Sequence, residues 1–257
     1  MLAILSPAKD MKVLPQQEKG NLSFAIPEFV NKSAGIITDL KKLNAVQLSE
    51  LMKISNKLAE LNFIRYRNWS KEHSTGNSAT AILSFIGEAY RGLRAMEFTP
   101  EELEYSQGVL RILSGLYGIL RPFDLIQEYR LEMGTKHSFR GKKNLYEFWK
   151  TNLTKAIEQA VAESPGEKVL INVASNEYAS AIDFKKLKSR VVTTSFYQEN
   201  NGEINMVAVY AKRARGMMTR FIIENFLEKA EDLKAFNAEG YYFDSNRSSE
   251  DKWVFVR

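Results

Sequence analysis

Leu113-Ser114-Gly115-Leu116-Tyr117-Gly118-Ile119-Leu120-Arg121-Pro122 places two glycines three residues apart in an otherwise mostly apolar run. Upstream, Thr99-Pro100-Glu101-Glu102 spells a helix start. Thr99 can cap, Pro100 suits the first helical position, and Glu102 can close a capping box. Gly115 then falls where a helix end wants a residue tolerant of positive φ. The stretch reads as a helix, a glycine hairpin and a second short element, with Leu116, Ile119 and Leu120 pinning the turn to a core. A hairpin of this kind can point backbone N–H groups outward toward a phosphate. Arg111 and Arg121 flank it with no acid between them. The plainer alternative is a tight connection that binds nothing.

Outward from this stretch, strands and helices are interspersed without a clean strand–helix–strand rhythm. Leu2–Leu5 reads as a short buried strand ended by Ser6-Pro7, and Asp10–Pro27 as polar, irregular loop. From Glu28 to about Trp69 the pattern is helical, with Leu48, Leu51, Met52, Leu58 and Leu61 at three-and-four spacing. Ala81–Phe85 fits a strand or the start of a helix. Asn144, with Glu147 as its capping partner, opens a helix whose apolar face runs from Leu145 through Trp149 to Val161. Ser164-Pro165-Gly166 stops it. Lys168–Val173 is apolar enough to be a central strand. Arg190–Gln198 and Glu203–Tyr210 flank Asn201-Gly202, a hairpin signal. Lys212–Leu227 returns to helical spacing, and Gly240–Asp244 and Trp253–Arg257 read as a closing strand pair. There is no repeat and no interdomain linker. The expectation is one compact mixed α/β (α+β) domain over residues 1–257, a mixed sheet flanked by helices.

Composition narrows the chemistry. The 257 residues are 44% hydrophobic and 26% charged, with a formal net charge of +5. That excess permits a polyanionic partner without demanding one. There is no cysteine, which excludes disulfides, thiolate zinc sites and cysteine-ligated iron–sulfur clusters. His73 and His137 are the only histidines, and no Glu-x-x-His pair accompanies them, so neither a metal nor another cofactor is expected. The N-terminal apolar run is too short for a secretory leader. No stretch approaches the about 18 apolar residues of a membrane span. A cytoplasmic protein, monomeric and without a membrane partner, is the expectation.

Charged and polar residues cluster in a few places. From Ile204 to Ile223 stand Lys212, Arg213, Arg215 and Arg220 with no acid. Lys212-Arg213-Ala214-Arg215-Gly216 is expected to open a helix, where cations oppose the macrodipole and an anion would relieve them. Lys136, Arg140, Lys142 and Lys143, and likewise Lys185, Lys186, Lys188 and Arg190, read as solvated surface or as walls of a positive groove. Asn172-Val173-Ala174-Ser175-Asn176-Glu177-Tyr178 follows the apolar strand, and the carboxyl ends of strands are where α/β proteins hold ligands. Tyr129-Arg130-Leu131-Glu132 brings an arginine and a carboxylate together, and Ser6 with Lys9 forms a third cluster. The structural alternatives are that Asn172 and Ser175 cap a helix and that Arg130 and Glu132 are an ion pair. Neither a Gly-x-Gly-x-x-Gly fingerprint, a phosphate loop, a Gly-x-Ser-x-Gly elbow nor a Ser-His-Asp set is present.

Seven motifs occur in order: Ser6-Pro7-Ala8-Lys9, Leu113–Gly118, Leu120-Arg121-Pro122, Tyr129-Arg130-Leu131-Glu132-Met133-Gly134, Leu145-Tyr146-Glu147-Phe148-Trp149, Ala174-Ser175-Asn176-Glu177-Tyr178 and Tyr210-Ala211-Lys212-Arg213-Ala214-Arg215-Gly216. With them the chain resembles the YaaA family of bacterial peroxide stress resistance proteins. The resemblance implies a cytosolic protein that helps bacteria survive hydrogen peroxide and limits damage from unincorporated iron. It implies a mixed α/β fold with a positively charged cleft and a helix-hairpin-helix element that binds DNA, including branched or bulged forms. The DNA-binding residues would be Gly115, Tyr117, Gly118, Arg121, Lys212, Arg213 and Arg215, holding phosphates without reading bases. The alternative is an enzyme acting on a nucleotide or nucleobase-like small molecule in the same cleft, drawing on Ser6, Lys9, Arg130, Glu132, Asn172, Ser175 and Glu177.

Overall fold

The computed structural model of the chain describes residues 1–12 and 23–257. Two strands, β1 (Leu2–Leu5) and β2 (Asp10–Met11), precede three helices, α1 (Val30–Leu40), α2 (Ala45–Met52) and α3 (Asn56–Asn68). Short elements follow: β3 (Ala79–Thr80), α4 (Ala81–Ser84), β4 (Phe85–Ile86) and α5 (Glu88–Leu93). Then come α6 (Pro100–Val109), β5 (Leu110–Ser114), β6 (Gly118–Leu120), β7 (Leu125–Ile126) and α7 (Leu145–Glu163). The chain continues through β8 (Val169–Asn172), α8 (Asn176–Ala179), β9 (Arg190–Asn200), β10 (Glu203–Asn205) and α9 (Ala208–Glu224), and closes with β11 (Tyr242–Phe243) and β12 (Lys252–Val256).

Among the described residues the principal sheet has eight strands, in the order β11-β12-β9-β8-β1-β5-β6 with β10 paired to β9. From β12 to β5 every pairing is parallel. The edge strands β11, β6 and β10 are antiparallel. β1 is buried along its whole length, as a strand covered on both faces must be. Ala3 lies opposite Leu110 on one side and Ile171 on the other. One apolar core runs from Met1 to Phe255. A mixed sheet flanked by helices is therefore the architecture, as expected. Asp10–Met11 pairs with β4 and Ala25 bridges Asp124. The rest of the stretch expected as loop includes residues 13–22, which lie outside the described residues.

Local signals set several boundaries. Thr99 and Glu102 form the capping box. The Asn144 side chain accepts from the Glu147 amide at 2.9 Å, while the Glu147 carboxylate accepts from the Lys143 amide, one residue earlier than a capping box requires. Ala81–Ser84 is one helical turn between two-residue strands, so both alternatives for that stretch are partly realised.

Two expectations are corrected. The helix entered at Thr99 ends at Val109, not at Gly115. Leu110–Ser114 turns extended to fill the open side of β1, a tertiary pairing that overrides local propensity. Gly115–Gly118 therefore joins two antiparallel strands, β5 and β6. In addition, α9 begins at Ala208, so Tyr210 is helical and Lys212 stands in the second turn rather than at the helix entry.

Candidate functional site

Parallel strands β1 and β8 both point their carboxyl ends at the same side of the sheet. Beyond them the chain must turn, and the two turns meet. The Ser175 amide donates to Ser6 Oγ at 2.9 Å, and the two hydroxyls lie 3.2 Å apart. Tyr90 of α5 donates its hydroxyl to the Ser6 carbonyl. These contacts form the floor of a cavity of about 280 Å³ lined by Ser6, Lys9, Glu132, Ser175, Glu177, Lys212 and Arg215. Leu5, Pro7, Ile86, Ala89 and Tyr178 supply its apolar surface.

Two glycines set the position of the basic wall. A Cβ on Gly216 would lie 1.7 Å from the Ala89 carbonyl oxygen, and one on Gly92 would lie 2.2 Å from the Arg213 carbonyl oxygen. Helices α5 and α9 thus cross backbone against backbone, which only glycine allows. The crossing holds the Gly87–Ala89 segment and α9 together at the cavity. Lys212 and Arg215, three residues apart on α9, share the face turned to it.

The cations of α9 divide by environment. Arg213 pairs with Glu239 at 2.9 Å. Arg220 pairs with Glu224 and Glu97 and lies over the Phe98 ring. Arg215 keeps a buried Nε with no hydrogen-bond partner among the described residues. Burial lowers its guanidinium pKa, since a desolvated cation is disfavoured until an anion joins it.

Other residues at the cavity carry compensated charge. Lys9 Nζ lies 2.8 Å from Glu132 Oε2, Arg130 reaches Glu132 Oε1 at 3.3 Å, and Asp10 is 3.9 Å from Arg130. Glu177 accepts from the Gly134 amide at 3.0 Å. The Tyr66 hydroxyl donates to the Arg130 carbonyl. The cavity thus carries both signs of charge, the ion-paired Glu132 and the hydrogen-bonded Glu177 as well as Lys212 and Arg215.

Of the candidates from the sequence, Ser6, Lys9, Glu132, Ser175 and Glu177 converge on the cavity together with Lys212 and Arg215. Arg130 stands behind Glu132 as its partner. Asn172 is buried: its Oδ1 accepts from the Ala174 amide and its Nδ2 approaches Thr193 Oγ1, so it shapes the turn after β8. Gly115, Tyr117 and Gly118 are buried and do not present their backbone to an external phosphate. A Cβ on Gly115 would meet the Leu131 carbonyl oxygen at 2.2 Å, and one on Gly118 would meet the Trp149 ring at 2.8 Å. Gly115 thus lets the β5–β6 turn pack against the segment that carries Arg130 and Glu132, and Gly118 lets it pack against Trp149 of α7. Arg121 lines a separate cavity with Arg111 and pairs with Asp124. Tyr90 and the α5 backbone were not visible as site elements in the sequence. Gly92 and Gly216 were the signal, each a glycine inside an otherwise helical pattern.

The class is thus a mixed α/β protein with a polar cleft at the carboxyl ends of its central parallel strands. The family model for peroxide stress protein YaaA matches residues 1–247, and the chain belongs to that family of peroxide stress proteins. No helix among the described residues is long and apolar enough to cross a membrane.

Proposed function

We propose that the cleft binds one nucleotide unit, with its phosphate on Lys212 and Arg215 and its base toward Pro7, Ile86 and Tyr178. In the peroxide stress response that unit is presented by DNA. The observation that carries this reading is Arg215, a desolvated cation whose Nε has no partner among the described residues, on the wall of a cavity large enough for about one nucleotide. The carboxylates that line the cleft disfavour a backbone running its length, but they can accept from base N–H groups. Arg213 is committed to Glu239 and contributes little. Damage from unincorporated iron would then be limited at the DNA, where protein cations release the counterions, ferrous ions included, that the backbone condenses.

A second reading is an enzyme acting on a free nucleotide or nucleobase-like molecule. The convergence of Ser6, Lys9, Glu132, Ser175 and Glu177 supports it, because phosphate binding alone needs none of these groups. Binding of labelled duplex, bulged and four-way-junction DNA across a salt series, with a deoxynucleoside monophosphate and inorganic phosphate as competitors, separates the two. DNA binding lost in a K212A/R215A variant, with weak competition, supports the first. Tight binding of the mononucleotide without DNA binding supports the second. Binding of neither removes both.

A further inference from the structure

Away from the cleft, the core holds a hydrogen-bond arrangement around Tyr117 that packing alone does not require. Trp69 Nε1 donates to the Tyr117 hydroxyl at 3.0 Å, and the Gln127 amide donates to it at 3.1 Å. A phenol oxygen has two acceptor sites, so both are filled and its own hydrogen must go elsewhere. His73 Nε2 is 3.1 Å away. The other ring nitrogen, Nδ1, faces the Lys71 carbonyl at 3.1 Å. A carbonyl only accepts, which places the histidine proton on Nδ1 and leaves a lone pair on Nε2. Tyr117 therefore donates to a neutral imidazole, and burial keeps that imidazole neutral by lowering its pKa.

The aromatic surroundings are continuous. Tyr129 stands edge-on to Tyr117 at 5.4 Å, Trp69 is 6.5 Å from Tyr117, and His73 is 5.4 Å from Trp69. Ser114 Oγ joins the Tyr129 hydroxyl at 2.6 Å and accepts from the Tyr117 amide.

We propose that Tyr117 is a one-electron oxidation site, a buried tyrosine whose hydroxyl proton passes to His73 when a peroxide-derived radical is reduced. The electron leaves the phenol for the oxidant, a hydroxyl or carbonate radical, which becomes hydroxide or carbonate. The phenol O–H bond breaks and an N–H bond forms on His73 Nε2. The resulting imidazolium is held by the Lys71 carbonyl through Nδ1–H. A thiol or ascorbate reductant returns the electron, and the proton goes back to the phenolate oxygen. Trp69 and Tyr129 carry the hole between Tyr117 and their neighbours. The site is independent of any ligand in the cleft.

The test uses the full chain and azide radicals generated by pulse radiolysis, followed by phenoxyl absorption and electron paramagnetic resonance. The expected result is a tyrosyl radical that outlives those of the exposed tyrosines several-fold. Y117F removes the long-lived component. H73Q keeps an acceptor but supplies no base, and shortens the radical several-fold. A wild-type radical spectrum with an exchangeable proton coupling, altered in deuterium oxide, reports the His73-bound proton without any substitution. The same decay in Y117F and wild type, or the absence of an exchangeable coupling in wild type, would overturn the proposal.

Discussion

The Gly115–Gly118 turn and the cleft at the ends of β1 and β8 look alike in the sequence and differ in the fold. Both combine small residues, hydroxyls and nearby arginines. In the turn the Ser114 hydroxyl and the Gly115 carbonyl are consumed internally. The Ser114 hydroxyl serves the Tyr117 amide, the Gly115 carbonyl accepts from Trp149 Nε1, and both glycines abut other parts of the core. At the cleft Lys212 and Arg215 face open space, and Arg215 retains a nitrogen with no partner among the described residues. A glycine motif therefore marks close approach of something, and only burial decides whether that is a ligand or the protein itself.

The largest effects should come from the packed side. Gly216→Val forces a side chain into the Ala89 carbonyl and should cost on the order of 3 kcal/mol or more. Gly115→Ala, which meets the Leu131 carbonyl, should come close to it. Denaturant midpoints check both, and an unperturbed midpoint for either would break the close-packing side of the comparison.

Asp124, beside the turn, sharpens it through pH. Burial raises its carboxyl pKa to about 6 against the pull of Arg121. A folded pKa above the unfolded value means that the native state binds the extra proton. Its contribution to stability is full below the unfolded pKa and is lost as pH rises through about 6. A shift of about two units corresponds to roughly 3 kcal/mol. Asp124→Asn should remove this dependence from a stability profile between pH 4 and 7, leaving the opposite trend of buried His73, which destabilises the fold as it gains a proton.

On the open side, K212A/R215A should weaken ligand binding by roughly 10- to 100-fold, the worth of one or two charge-assisted bonds. Its unfolding midpoint should barely move, because neither cation completes an internal network among the described residues. Arg213→Ala should do least. Its exposed pair with Glu239 is worth under about 1 kcal/mol, and binding should stay within about twofold of wild type.

Much of the fold was legible in the sequence. The Thr99 and Asn144 caps, the Asn201-Gly202 hairpin, the buried first strand and the apolar Val169–Ile171 run all declare themselves through residues near in sequence. The β5 strand did not. Leu110–Ser114 is extended because β1 offers it a parallel edge, which no local pattern encodes. The site was legible by half. Ser6 and Ser175 lie where strands end, a position that patterning predicts. That Arg215 joins them while Arg213 turns to Glu239 depends on the α5–α9 crossing, and only Gly92 and Gly216 hinted at it.

The most direct test of the account is amide hydrogen exchange of the intact chain with and without a saturating duplex or mononucleotide. Added protection should centre on Ser6–Lys9, Ser175–Tyr178 and the first two turns of α9. Peptides covering Gly115–Arg121 should be unchanged, already slow to exchange in the free protein. Protection confined to Arg121, Arg140 or the Lys185–Arg190 surface, with none at the cleft, would contradict it.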